Sequence, residues 1–226
     1  LVALVARNDQ MCQEIERIVR QRNVLLKQSN GRLTDEIAMT LDVWDEKFVE
    51  VGTRLGDARA RLVAQMTPHV HQAYEVLAGL PTPIDIVYEP EWRREGLAAS
   101  LAAHRQDDIR RGVSTVGPHR DELELVLKGM PAKSTASQGE CRTLALAMRL
   151  GVHRLVTEVA GQAPLLVLDD VLSELDPQRA TALLGHLPPG QVIITTAQPL
   201  PPAAHPDTII TVVNGAVTGI TEGGEA

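Results

Sequence analysis

Apolar residues set the reading of this chain before any motif does. From about Gln10 to Gln28, Met11, Ile15, Ile18, Val19, Leu25 and Leu26 follow the spacing of one helix face. Ser29-Asn30-Gly31 reads as a turn, and Thr34 as the N-cap of a second helix with Asp35 and Glu36 in its first turn. Ile37, Leu41, Trp44, Phe48, Val51, Leu55, Ala58 and Leu62 then recur in steps of four and three. That heptad seam predicts a helix of about 45 Å, folded back on the first as an antiparallel hairpin and loosened locally by Gly52 and Gly56. Thr67-Pro68 predicts the start of a further helix ending near Gly79. Ile84 to Tyr88 alternates as a strand, and Glu91 to Arg111 reads as one helix.

The second half changes character. Leu123, Leu125 and Leu127 alternate as a strand that Lys128-Gly129 ends. Leu144, Ala147, Met148, Gly151, Leu155 and Val159 mark a long helix. Leu165 to Leu168 is an unbroken apolar run, the pattern of a parallel strand buried on both faces, and Gln191 to Thr196 reads as a second buried strand that ends in hydroxyls. Between them Pro177 opens a short helix that Pro188-Pro189-Gly190 closes. Thr208 to Val213 and Ala216 to Ile220 flank Asn214-Gly215, the signature of a hairpin on a type I′ turn. The expected architecture is α/β, with a helical lobe over residues 1–111 and a sheet-bearing head over residues 112–226.

Chemistry concentrates at the end of the first buried strand. In open parallel sheets ligands lie at the carboxyl ends of strands, where Asp169 and Asp170 stand side by side. One acid of such a pair can hold Mg²⁺ and the other orient an attacking water; alternatively both simply cap the strand. Upstream, Ser137-Gln138-Gly139-Glu140 opens the long helix, where unpaired amides and the dipole favour an anion.

Charge and composition narrow the classes. A net charge of −7 argues against a uniformly basic DNA-binding surface, and Trp44, Phe48, Tyr74, Tyr88 and Trp92 are too few for a base-stacking track. Any DNA grip would fall to local cation clusters on phosphates. Arg17, Arg20, Arg22 and Lys27 form one such cluster, readable as a solvated helix face or as a phosphate-contacting patch. No apolar run reaches the roughly 18 residues of a membrane span. Cys12 and Cys141 lack partners at metal spacing and read as free thiols of a reducing cytosol, with Cys141 either a small core filler or a redox-sensitive group.

Taken together, Ser137 to Glu140, Leu165 to Asp169, and Ser173 to Asp176 resemble the signature loop, Walker B strand and D-loop of ABC-type ATPases. More closely, Gly117-Pro118-His119-Arg120-Asp121, the Ala136-to-Leu146 segment and Leu168-to-Asp176 resemble the RecF family of bacterial DNA-repair proteins, as do Gln21-to-Lys27 and Leu41-to-Asp45. The resemblance implies a dimer of ATPase heads sandwiching two ATP molecules. Ser137, Gln138, Gly139 and Glu140 of one copy would meet the γ-phosphate bound by the other. Asp169 would hold Mg²⁺ and Asp170 would position the water, with Ser173 and Asp176 in the D-loop. The switch position, commonly histidine in ABC ATPases, falls on Thr196 or Ala197.

The implied function is ATP-dependent recognition of gapped or single-strand/double-strand junction DNA in recombinational repair, with RecR and RecO as partners and a slow ATPase. Two rivals are another ABC- or SMC-like ATPase and a non-hydrolysing fragment that only dimerises or binds partners. The sequence has no Gly-x-x-x-x-Gly-Lys-Ser/Thr loop, so it is expected to be the C-terminal part of a longer protein and inactive alone. The Gly117–Asp121 motif specifies no reaction of its own.

Overall fold

The computed structural model describes residues 6–223. Helix α1 (Ala6–Gln28) turns through Asn30 and Gly31, both at positive φ, into α2 (Asp35–Ala78). Thr34 caps α2 as expected, its hydroxyl accepting from the Ile37 amide at 3.4 Å, and Gly79 ends it in the left-handed region. α2 does not restart at Thr67-Pro68. It runs 44 residues without interruption, and Thr67 donates its hydroxyl back to the Val63 carbonyl at 2.7 Å instead of capping. An interior proline costs about 3 kcal/mol. Val70, Tyr74 and Leu77 lie beyond it, all buried, and each contributes roughly 1.5–3 kcal/mol by burial. Their burial outweighs the proline, so the helix continues.

The first half of α2 pairs with α1 through Met11, Ile15, Ile18, Phe48, Val51 and Leu55, and Trp92, Leu97 and Leu101 close this core. Gly52 and Gly56 do not loosen the seam. They admit neighbours: a Cβ on Gly52 would stand 2.6 Å from Leu97 Cδ2, and one on Gly56 2.5 Å from Trp92 Cη2. The expected helix over Glu91–Arg111 is split into α3 (Trp92–Glu95) and α4 (Leu97–Arg111) by Gly96 at φ 91°, a conformation that breaks the helical ladder. Arg22 fits neither surface reading. It is fully buried, with Nε 2.6 Å from Asp45, Nη1 donating to Ser114 Oγ at 2.5 Å and Nη2 3.5 Å from Asp108. One guanidinium thus ties α1, α2, α4 and the segment after α4 together.

β1 (Ile84–Val87), β2 (Glu124–Leu127) and β3 (Met130–Pro131) form an antiparallel sheet in that order, with Ile84 opposite Leu127. Lys128 and Gly129, both at positive φ, make the turn into β3, and α5 (Ala132–Thr135) follows. The β1–β2 pairing joins residues on either side of position 111. The Gly117–Asp121 motif fastens this junction. Asp121 accepts from Tyr88 Oη at 2.5 Å and from Trp92 Nε1 at 2.8 Å, while Arg59 donates to the Pro118 carbonyl at 2.5 Å. His119 Nε2 donates to the Ser114 carbonyl at 3.1 Å, and burial lowers the ring's pKa below the ordinary histidine value.

The main core lies between the second half of α2, α6 (Gln138–Ala160), β4 (Leu166–Asp169) and α7 (Pro177–Gly185). β4 and β5 (Val192–Thr195) pair in parallel, Asp169 opposite Thr195. They are not buried on both faces. Leu166 and Leu168 are buried, but Val167 is 56% exposed and Ile193 43%, because the described residues cover only one side of this two-stranded sheet. β6 (Thr208–Val213) and β7 (Ala216–Glu222) form the expected hairpin, with Asn214 and Gly215 both at positive φ. Cys141 is exposed at the start of α6 and fills no core; Val159 is also exposed, one turn outside the packed stripe.

Candidate functional site

The two acids sit where the strand pattern places them, and a hydroxyl from the neighbouring strand fixes both. Asp169 is the last residue of β4. The Thr195 hydroxyl donates to Asp169 Oδ1, and the Asp170 amide donates to Thr195 Oγ1 and to the Thr195 carbonyl, each at 3.1 Å. Asp170 lies at φ 49°, in the left-handed region that costs a non-glycine residue about 1–2 kcal/mol. That residue turns the chain out of the strand into a 3₁₀ turn over Val171–Glu174. Ser173 donates its hydroxyl to the Asp170 carbonyl at 2.8 Å. Asp176 then caps α7, accepting from the Arg179 amide at 2.9 Å, with Pro177 in the first helical turn.

Thr196 is placed differently. Its Oγ1 accepts from the Gln198 amide at 3.1 Å and serves the local turn. Thr195 is the hydroxyl that touches Asp169, and sequence reasoning passed over it. In a strand a threonine is an ordinary β-branched residue, and only the register Asp169↔Thr195 gives it a partner.

At the other end, Ser137 starts α6 with a reciprocal cap. Ser137 Oγ accepts from the Glu140 amide at 3.3 Å, and Glu140 Oε2 accepts from the Ser137 amide at 2.9 Å. Within a helix the first amides have no acceptor, so those of Gln138 and Gly139 remain open to an anion. Lys128 holds the Glu140 carboxylate from outside, Nζ to Oε1 at 2.6 Å. That bond, with those from the Ser137 amide and hydroxyl, pulls the Glu140 pKa down to about 2.

Two arginines join the serine loop to the acidic turn. Arg142 Nη1 donates to the Glu174 carbonyl at 3.4 Å, and its Nε lies 3.6 Å from Glu174 Oε2. Arg179 pairs with Asp176 at 3.1 Å, and the same Nη1 would stand 3.0 Å from a Cβ on Gly139. Gly139 therefore leaves room for a guanidinium against the first turn of α6. The first turns of α6 are thereby joined to Glu174 and Asp176, in the segment that leaves β4. Arg179 carried no signal in the sequence, since its role depends on its guanidinium reaching from α7 to the first turn of α6.

Among the described residues no three His, Cys, Asp or Glu side chains converge as a metal cage. Asp169 nevertheless offers a carboxylate whose Oδ1 is oriented by Thr195 while Oδ2 meets no donor among the described residues. Mg²⁺ bound with nucleotide phosphates takes one or two protein carboxylates and keeps waters, and this donor set fits that mode.

No protein-family model matches the chain. It is 41% identical over 199 residues to the DNA replication and repair protein RecF of Streptomyces avermitilis, a match covering 81% of this chain and 52% of that protein. The RecF proteins of Rippkaea orientalis and Pseudarthrobacter chlorophenolicus are 37% and 34% identical over 189 and 236 residues, covering 76% and 87% of this chain and 50% and 59% of theirs. The chain thus spans about half the length of the curated relatives it matches. Solved structures of the recombination mediator protein RecF in the RecFOR pathway, with ATPrS and with ATP, share its fold at a TM-score of 0.79 and 25% identity. They cover 95% of this chain and 59% and 58% of theirs.

Proposed function

For a chain that belongs to the RecF family, we propose that it supplies the trans-acting face of an ATP-operated DNA clamp in DNA replication and repair. The observation that carries this reading is the joining of the capped Ser137 loop to the Asp169–Asp176 turn through Arg142 and Arg179. Open amides tied to the segment that follows two strand-end acids suit a nucleotide shared between two copies. The open amides of Gln138 and Gly139 would receive the γ-phosphate held by a second copy. Asp169 would hold Mg²⁺ through the oxygen that Thr195 leaves free. When bound, that ion would neutralise charge developing on the phosphoryl oxygens.

Asp170 would orient the attacking water or accept its proton. Its carboxylate makes no hydrogen bond or ion pair among the described residues, and its backbone is fixed by two bonds to Thr195. An aspartate arm is about one methylene shorter than the glutamate common at this position, which implies slow turnover suited to a clamp. Gapped or single-strand/double-strand junction DNA is the proposed substrate, and RecR- and RecO-type mediators the proposed partners. The sequence carries no phosphate-binding loop with a lysine, so by itself the chain would dimerise or bind partners without hydrolysing ATP.

The test uses a RecF-length protein that contains this sequence, with light scattering to follow its mass. ATP and gapped DNA should drive the unsubstituted protein to a dimer, and Ser137→Arg should hold it as a monomer with turnover reduced at least tenfold. If the arginine variant dimerises and hydrolyses ATP normally, Ser137 is only a helix cap and the trans-site reading fails.

A further inference from the structure

One stripe on the outer side of α1 is cationic in a chain whose 29 acids outnumber its 22 lysines and arginines. Opposite the buried Ile15, Ile18 and Leu26, the solvent side of α1 presents Gln13, Arg17, Arg20, Val24 and Lys27 in steps of three and four. Asp9 heads the row, four residues before Gln13 and accepting from its Nε2 at 2.8 Å, and no acid falls within the row from Gln13 to Lys27. The exposed Glu14 and Glu16 flank it, three residues before Arg17 and four before Arg20, without pairing to either. The row continues onto α4: a Cβ on Gly112 would lie 3.3 Å from Lys27 Cγ and 3.7 Å from Lys27 Cα, which sets the exposed Arg111 beside the end of α1. Among the described residues the side chains of Arg17, Arg20, Lys27 and Arg111 make no ion pair or hydrogen bond. Arg22, Arg93, Arg105 and Arg110, on the same lobe, are paired, whereas the side chains of Arg32 and Arg61, away from the row, are exposed and also unpaired among the described residues.

Helix dipoles explain part of this row. Lys27 and Arg111 stand in the last turns of α1 and α4, where cations are favoured. Arg17 and Arg20 stand two to three turns earlier, beyond the reach of a terminal partial charge. Solvation alone requires polarity, not one sign. An unpaired row of like charge on an otherwise acidic protein is placed to meet an anionic surface.

We propose that the Arg17–Arg20–Lys27–Arg111 ridge is a contact surface for the phosphate backbone of duplex DNA. The proposal rests on the DNA-binding reading above and adds where on the molecule the duplex lies. From Arg17 to Lys27 the ridge rises about 15 Å, and a duplex carries one charge per about 1.7 Å of axis. Roughly nine phosphate charges therefore pass the stretch of α1 that holds Arg17, Arg20 and Lys27. No aromatic side chain stands in the row, so it has no base-stacking platform. Binding should be insensitive to sequence and steep in salt.

The experiment is fluorescence anisotropy of this chain with two blunt duplexes of unrelated sequence, over a series of salt concentrations. Each phosphate contact contributes about −0.9 to the slope of log affinity against log salt. Arg17→Gln with Arg20→Gln should make the slope shallower by about 1.8, equally on both duplexes. Arg61→Gln with Arg149→Gln, exposed and unpaired elsewhere, should leave it unchanged, and far-ultraviolet circular dichroism should show both variants folded. If the chain binds duplex and the ridge variant keeps the original slope, the ridge assignment falls while the DNA-binding reading stands. If the unsubstituted chain binds no duplex, the ridge assignment falls, while the clamp reading is decided separately by the ATP-driven dimerisation of the RecF-length protein. Ridge-dependent binding of polyglutamate without binding of duplex would assign the ridge to an acidic protein partner and overturn the proposal.

Discussion

Glu140 is a small case of how one side chain serves two structures. Its Oε2 closes the cap on the Ser137 amide, and its Oε1 takes the Lys128 ammonium from the turn between β2 and β3. The fold therefore holds the carboxylate ionised well below its ordinary value of 4.5, down to about 2. A group depressed in the folded state contributes stability that is complete above its unfolded pKa and lost as pH falls through the folded value. Thermal midpoints of the unsubstituted chain should thus decline between pH 4.5 and about 2 more steeply than those of Glu140→Gln. The neutral amide keeps a carbonyl for the Ser137 amide but has no charge to lose. Equal slopes in the two proteins would show that Glu140 is not coupled to folding. The cap itself was legible, because serine followed three residues later by glutamate before an apolar pattern is a helix start. Lys128 was not, because the lysine arrives from a separate hairpin. Arg22 was illegible for a related reason: its sequence neighbours are exposed arginines, and its partners Asp45, Asp108 and Ser114 come from elsewhere in the chain.

At the scale of elements, the molecule depends on close approach between α2 and α6. Gly151 of α6 faces Val70 of α2 so tightly that a Cβ there would lie 2.8 Å from the Val70 backbone nitrogen and 2.7 Å from its Cγ2. Backbone cannot give way as a side-chain end can. Gly151→Ala should therefore push the helices apart and cost about 1–3 kcal/mol, despite the roughly 1 kcal/mol that alanine gains in helix propensity. Gly139→Ala adds the same methyl to the same helix but meets only the end of Arg179, so its stability should be unchanged or slightly raised. Urea midpoints of the two variants measured side by side decide the matter; similar losses in both would mean the contrast in their neighbours does not control packing. The same α2–α6 contact explains why the continuous α2 was not readable. Thr67-Pro68 is a sound local helix start, and the burial of Val70, Tyr74 and Leu77 in the main core beyond it holds the chain helical through the proline. Hairpin and cap signals such as Asn214-Gly215 and Thr34 were readable because their conformations are settled within a few residues.

The whole molecule is half covered, and this sets its behaviour in solution. One face of the β4–β5 pair leaves Val167 and Ile193 open, and the β6–β7 hairpin exposes Ile210, Val212, Val217 and Ile220. The apolar run at Leu165–Leu168 led the sequence to predict two covered faces; the run is there, but the described residues supply one cover. A two-stranded sheet is marginal by itself, and contiguous exposed apolar surface marks an interaction site or an aggregation liability. Both conditions meet in the hairpin, whose outer edges pair with no other strand among the described residues. The chain spans about half the length of its RecF relatives, so a surface of this kind is what an assembly with further polypeptide would cover. Replacing Ile210 and Ile220, which pair across the hairpin, with threonine keeps β propensity and removes apolar area. The double variant should show a lower mass by light scattering at high protein concentration and less binding of a hydrophobic dye. Its thermal midpoint should stay put, because neither side chain belongs to a core cluster. A drop in the midpoint with unchanged association would instead place these isoleucines in the fold's own stability and leave the open face with no role in assembly.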